Sequence, residues 1–192
     1  MSGAPGVDGD CRLTTASYVL TTLQESDLDD LYAHFSNPEV TAFLGFEPHA
    51  STDDGSNLLN WVMLMRAAGT GLRWRISEAW NGTFVGTCGF HRVTYDGARR
   101  GEIGYDVSPG LWGRGVMSEV LPAMLAFGYD VLDLHRIEAL VTVGNERSCR
   151  LLERQGFQRE GLLRDHGFWR GRYWDQIVYA RLSPDPDQAS LT

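Results

Sequence analysis

The run "GEIGYDVSPGLWGRGVMSEV", residues 101–120, constrains this chain more than any other stretch. Its first eight residues alternate in the manner of a half-buried strand. Pro109 cannot donate to a sheet ladder and turns the chain out of it. Gly110, Gly113 and Gly115 then permit positive φ and close backbone approach. A helical pattern begins at Val116 with no linker between. A helix starting there aims its free N–H groups and the positive end of its dipole into the turn. Such a turn suits phosphate, and Arg114 adds a cation beside it. It is not a Walker loop, because no Gly-Lys-Ser/Thr follows, and no GxGxxG fingerprint is present.

The rest of the chain sets this unit in a mixed α/β order. "YVLTTL" reads as a strand. Ser26 with Asp29 reads as a capping box for a helix over "LDDLYAHFS", and Ser51 with Asp53 and Asp54 opens a second helix. "LRWRISEAW" and "TFVGTCGFHRVTY" read as strands joined by the Asn81–Gly82 turn. After "GEIGYDVS" comes a long helix to about Leu132, interrupted by Pro122, which predicts a bend. "HRIEALVTV" is a strand and "NERSCRLLERQ" a helix. "FQREGLLRDHGFWRGRYWDQIVYARL" reads as two strands turning around "WRGR". The expected fold is a single α/β (α+β mixed) domain over residues 15–182. It has one central, mostly antiparallel sheet of about seven strands and about four helices, with loose tails at 1–14 and 183–192.

Composition narrows the function. The chain has 192 residues and a formal charge of −8. Residues 1–60 hold ten acidic side chains and one Arg, whereas residues 61–192 are nearly balanced. A nucleic-acid partner calls for a basic stripe, which the acidic first third lacks. An acidic lobe suits a cationic partner such as an amine. No apolar run reaches the roughly 18 residues of a membrane span, and the N-terminus does not read as a secretory signal. Cys11, Cys88 and Cys149 are widely spaced, which argues against a disulfide framework or a zinc site and favours a cytoplasmic setting. No metal-ligand spacing occurs among the histidines.

Taken together, the motifs resemble the GCN5-related N-acetyltransferase (GNAT) superfamily. In that family a turn of the form Gln or Arg, two residues, Gly, one residue, Gly or Ala cradles the pyrophosphate of CoA. Gly113 and Gly115 fill its last two slots, and Gly110 replaces the usual first residue. "NPEVTAFL", "LHRIEALVTVGNERSCRLLERQGFQREGLLRD" and "GRYWDQIVYARL" are similar to segments of the RimJ/RimL-like ribosomal-protein N-terminal acetyltransferases.

The resemblance implies acetyl transfer from acetyl-CoA, with no metal, to a primary amine. It points to the α-amine of a protein N-terminus by direct attack in a ternary complex. A small amine (a polyamine or an aminoglycoside-like antibiotic) is the alternative acceptor, and a non-catalytic acyl-CoA-binding module is the rival class. Neither nucleic acid nor membrane is an expected partner, and a homodimer is admitted. The implied CoA contacts begin with Asp106 and Val107 at the strand end. They continue through Leu111, Trp112, Gly113 and Arg114, then Gly115, Val116 and Met117, and end with Asn145 and Ser148. The usual family Tyr is replaced by Leu152, so Ser148 is the implied acid at the CoA sulfur and Asn145 the pantetheine contact. Read from the residues alone, Asn145 is a helix N-cap and Ser148 a first-turn residue. The implied base is Glu160, with Glu102 second and His91 third. Each has a plain structural reading as well: a solvent-facing strand carboxylate, a cross-strand partner for Arg, and a structural histidine. A covalent acetyl-Cys149 step would need an activating base beside it, and direct transfer is expected instead. Trp61, Trp74, Trp80, Trp169 and Trp174 are read as core or acceptor-site aromatics.

Overall fold

The structure is a computed structural model that describes residues 11–183. Its elements in chain order are β1 (Leu13–Thr14), β2 (Tyr18–Thr22), α1 (Leu28–Phe35), α2 (Thr52–Ala67), β3 (Leu72–Glu78), β4 (Phe84–Tyr95), β5 (Arg99–Val107), α3 (Val116–Asp130), β6 (Arg136–Thr142), α4 (Glu146–Arg154), β7 (Gln158–Trp169) and β8 (Arg172–Leu182). The strands form one sheet of eight in the order β1-β2-β3-β4-β5-β6-β8-β7. Every neighbouring pair is antiparallel except β5 and β6, which run parallel with α3 as their crossover. The extra strand is β1, which pairs with β2 inside the expected N-terminal tail. Trp74 secures this segment by donating its indole N–H to the Cys11 carbonyl at 2.9 Å. Residues 1–10 and 184–192 of the expected tails lie outside the described residues.

Period-2 alternation divides the sheet into two faces. Leu72, Trp74 and Ile76 of β3 enter one core with Cys88 and Phe90 of β4 and the apolar stripe of α3. Arg73 and Arg75 point to the other face, where α1 and α2 pack through Leu31, Phe35, Leu59 and Val62. Trp74 is fully buried in the first core. Trp169 is also buried and stacks on Trp174, whereas Trp61 and Trp80 are exposed.

One local detail departs from expectation. The first capping box is formed two residues early, by Gln24 and Asp27 around a 3-10 turn at Glu25–Asp27, because the Asp27 carboxylate reaches the Gln24 N–H at 2.9 Å. Ser51 and Asp54 do cap α2. Helix α3 is unbroken through Pro122. The Ser118 carbonyl, which Pro122 cannot serve, accepts instead from the Gln155 side-chain amide at 3.3 Å.

Candidate active site

The site is built where β5 and β6 part company. Their parallel pairing runs only from Arg100↔Arg136 to Ile103↔Ala139. Beyond that point β5 stays paired with β4 as far as Val107, and β6 with β8 as far as Thr142. The facing inner edges of the two strands are thus free of one another. Unpaired strand edges present N–H and C=O groups to an extended ligand. A cavity of about 610 Å³ lies at this fork, bordered by the end of β5, the turn into α3, the start of α4 and the 37–44 segment.

The glycine turn closes one wall. A 3-10 turn at Pro109–Leu111 follows β5. Gly113 and Gly115 both adopt left-handed backbone, at φ +76° and +83°. A Cβ at either would meet nothing within 4 Å, so glycine is required by conformation, and the space outside the turn is open. Gly115 is the N-cap of α3 and offers no side chain to its N–H groups, which leaves them directed outward for an anion. Arg147, Arg150 and Arg154 project from α4 onto the same cavity, and the Arg147 guanidinium lies 4.4 Å from the centre of the Trp112 ring. Open amides, a helix dipole and three guanidinium groups fit the phosphates of a CoA thioester, and the strand fork fits its amide-bearing arm.

Most of the implied CoA contacts meet here. Asp106, Val107, Leu111, Trp112, Gly113, Gly115, Val116, Met117, Asn145 and Ser148 all border the cavity. Arg114 does not: between two left-handed glycines its side chain is thrown outward, and it is exposed near the Tyr18 hydroxyl. Asp106 contributes backbone only, because its carboxylate is 2% exposed and turned to the α1 face. The Val107 carbonyl already accepts from the Trp112 indole at 2.7 Å, which clamps the turn to the strand end. Asn145 is the N-cap of α4, its Oδ1 accepting from the Ser148 N–H at 3.2 Å. The Ser148 hydroxyl is 2.7 Å from the hydroxyl of Tyr105, and both residues border the cavity. Burial pushes the Tyr105 phenol up to about 12, so it keeps its proton at neutral pH.

Glu160 of β7 forms a forked ion pair with Arg136, with one arm at 2.9 Å. Across β8, Glu160 lies in register with Ala139 and Leu140 of β6, level with the start of the fork but three strands over from β5. Glu102 stands on β5 directly before Ile103, the last residue paired with β6, at the closed end of the fork. Burial raises its pKa, Arg92 opposes this, and the neighbouring Glu138 adds to it. His91 is held down to about 3 by burial and by the Arg73 guanidinium to which it is bonded. None of these three borders the cavity. Among the described residues no group of three or more His, Cys, Asp or Glu could hold a metal ion. No helix among them is long and apolar enough to cross a membrane.

Residues 18–158 match the acetyltransferase (GNAT) domain family. The chain belongs to that family and is an acetyl-CoA-dependent N-acetyltransferase. It is 35% identical over 172 residues to the uncharacterized N-acetyltransferase YoaA of Bacillus subtilis, covering 90% of this chain and 97% of the relative. It is 27% identical over 180 residues to the [ribosomal protein uS5]-alanine N-acetyltransferase of Escherichia coli, covering 91% and 92%. Among solved structures it resembles spermidine N-acetyltransferase from Vibrio cholerae in complex with CoA and spermine. That match has TM-score 0.76 and 25% identity, covering 86% of this chain and 95% of that one. The end-to-end likeness to the uS5-alanine enzyme agrees with the RimJ/RimL-like motifs of the sequence.

Tyr105, Arg147, Arg150 and Arg154 are site residues that the sequence reading passed over. The arginines carried a signal in their i, i+3, i+7 spacing, which puts them on one helix face. Tyr105 carried none, since its partner Ser148 lies 43 residues away.

Proposed function

We propose that this enzyme acetylates the α-amino group of a protein or peptide N-terminus by direct attack within a ternary complex. The observation that carries this reading is the likeness to the uS5-alanine enzyme along nearly the whole of both chains. In this reading the α3 amides and the α4 arginines hold the phosphates of acetyl-CoA, which supplies an activated acetyl thioester. Ser148 donates its hydroxyl proton toward the departing sulfur. Tyr105, donating to Ser148, leaves the serine proton free to point into the cavity. A charge-assisted hydrogen bond to a developing thiolate favours its departure.

Acetylation of a small polyamine is the second reading, favoured by the likeness to the spermidine enzyme and by Glu39 on the cavity rim. Thiol release from acetyl-CoA, measured against N-terminal peptides, polyamines and aminoglycosides, separates the two. Turnover on Ala- or Ser-initiated peptides, with the acetyl group located on the α-amine by mass spectrometry, supports the first. Turnover confined to polyamines or aminoglycosides overturns it.

A further inference from the structure

Glu160 is taken up by Arg136 and neither it nor Glu102 borders the cavity, so the proton leaving the acceptor nitrogen has no assigned destination. A buried polar cluster lies directly behind the end of β5. Asp106 is at its centre. Its Oδ1 accepts from the Thr87 N–H at 3.0 Å and lies 2.7 Å from His34 Nε2. Its Oδ2 accepts from the Thr87 hydroxyl at 2.7 Å and from Arg73. On its other side, His34 Nδ1 faces the Ser108 hydroxyl at 3.4 Å. His34 comes from α1 and is 7% exposed, packed edge-on to Phe35 and Phe84. Ser108 is half-buried and directly follows Val107, which borders the cavity. Its backbone is fixed by bonds to Val85 and Leu111.

The chemistry of Asp106 determines the tautomer of His34. Burial disfavours the Asp106 carboxylate, but Arg73, His34 and Thr87 together hold it at about 2, so it is ionised at neutral pH. An ionised carboxylate only accepts. His34 Nε2 must therefore carry the proton, and Nδ1 presents a lone pair to Ser108. A buried charged network fixes ring orientation at considerable desolvation cost.

We propose that Ser108, His34 and Asp106 form a proton relay that receives the proton of the acceptor amine. The acceptor arrives as an ammonium. Before attack one of its N–H bonds breaks, leaving the lone pair on nitrogen, and the proton passes to Ser108 Oγ. The Ser108 hydroxyl proton passes at the same time to His34 Nδ1. The second proton, lost from the nitrogen on acyl transfer, restores the one Ser148 gives to the departing sulfur. The imidazolium that results is stabilised by Asp106 through the retained Nε2–H bond. Asp106 is the positioning residue, and Arg73 and Thr87 hold it in turn. The charged and titratable groups facing His34 are Asp106 of β5 directly, and Arg73 of β3 and His91 of β4 through it. The relay rests on acetyl transfer to an amine and not on which amine is used.

The test is the pH dependence of kcat/KM for the wild-type chain, Ser108→Ala and His34→Gln, using the fastest acceptor of the panel. The expected result is a loss of about 10²-fold near pH 7 in both variants. The acetyl-CoA dissociation constant should stay unchanged, and the loss should shrink as pH rises and the acceptor sheds its own proton. A loss that is constant with pH, or none in Ser108→Ala, overturns the relay. Long-range proton–nitrogen NMR of the wild-type chain reads the tautomer without turnover. A proton on His34 Nε2 is expected, and one on Nδ1 overturns the relay independently of any acceptor.

Discussion

Tyr105 and Ser148 come from different elements and meet at one hydrogen bond on the cavity wall. If Tyr105 orients the serine proton, Tyr105→Phe loses about 1 kcal/mol of orientation, roughly a fivefold fall in kcat. The KM for acetyl-CoA should not move. Steady-state kinetics check this, and a rise in KM with unchanged kcat would assign Tyr105 to binding instead. The cluster behind β5 makes a prediction about stability. His91 is held at about 3 in the folded chain against an ordinary 6.5, so below pH 6.5 the unfolded chain takes up a proton that the folded one refuses. Stability therefore falls as pH drops from 6.5, by up to about 1.4 kcal/mol per pH unit. Asp106, held at about 2, adds its own loss only between its ordinary 3.8 and 2. Urea unfolding of His91→Gln between pH 7 and 4.5 should give a flatter pH dependence than the wild-type chain.

At the scale of elements, the turn into α3 was legible because glycine's freedom of φ is a property of one residue. Gly113 and Gly115 are left-handed, and α3 starts at Val116 as its pattern required. Gly115→Ala should cost about 1–2 kcal/mol in stability and weaken acetyl-CoA binding by tilting the α3 amides. Thermal unfolding and calorimetry measure the two effects, and unaltered CoA affinity would remove the turn from the phosphate site. The site's long-range pairs were not legible. His34 reads as one more residue of an amphipathic helix, and only the folded sheet brings it to Asp106, 72 positions away. Glu160 fitted a family pattern, but in this chain Arg136 takes both of its oxygens. The short β1 was missed because two residues are too few to establish a period.

Across the whole molecule, charge is unevenly divided. Residues 1–60, formally acidic, supply α1, the start of α2 and the 37–44 segment over the fork, and the arginines of α4 line the opposite wall. An acidic side drawing a cationic acceptor predicts that acceptor KM rises severalfold when ionic strength increases about tenfold, since the Debye length falls to about 3 Å at 1 M. A KM indifferent to salt would mean the acceptor is recognised without its charge. In the proposed reading, chemistry takes place at the β5–β6 fork beside Ser148. The measurement that tests it most directly is thiol release from acetyl-CoA by the wild-type chain, Ser148→Ala and Glu160→Ala, with acetyl-CoA affinity measured in parallel. The structure predicts that Ser148→Ala loses on the order of 10²-fold in kcat while still binding acetyl-CoA, and that Glu160→Ala stays within about threefold of wild type, since it breaks only an exposed ion pair. The reverse pattern, full activity without Ser148 and its loss without Glu160, would contradict this placement of the active site.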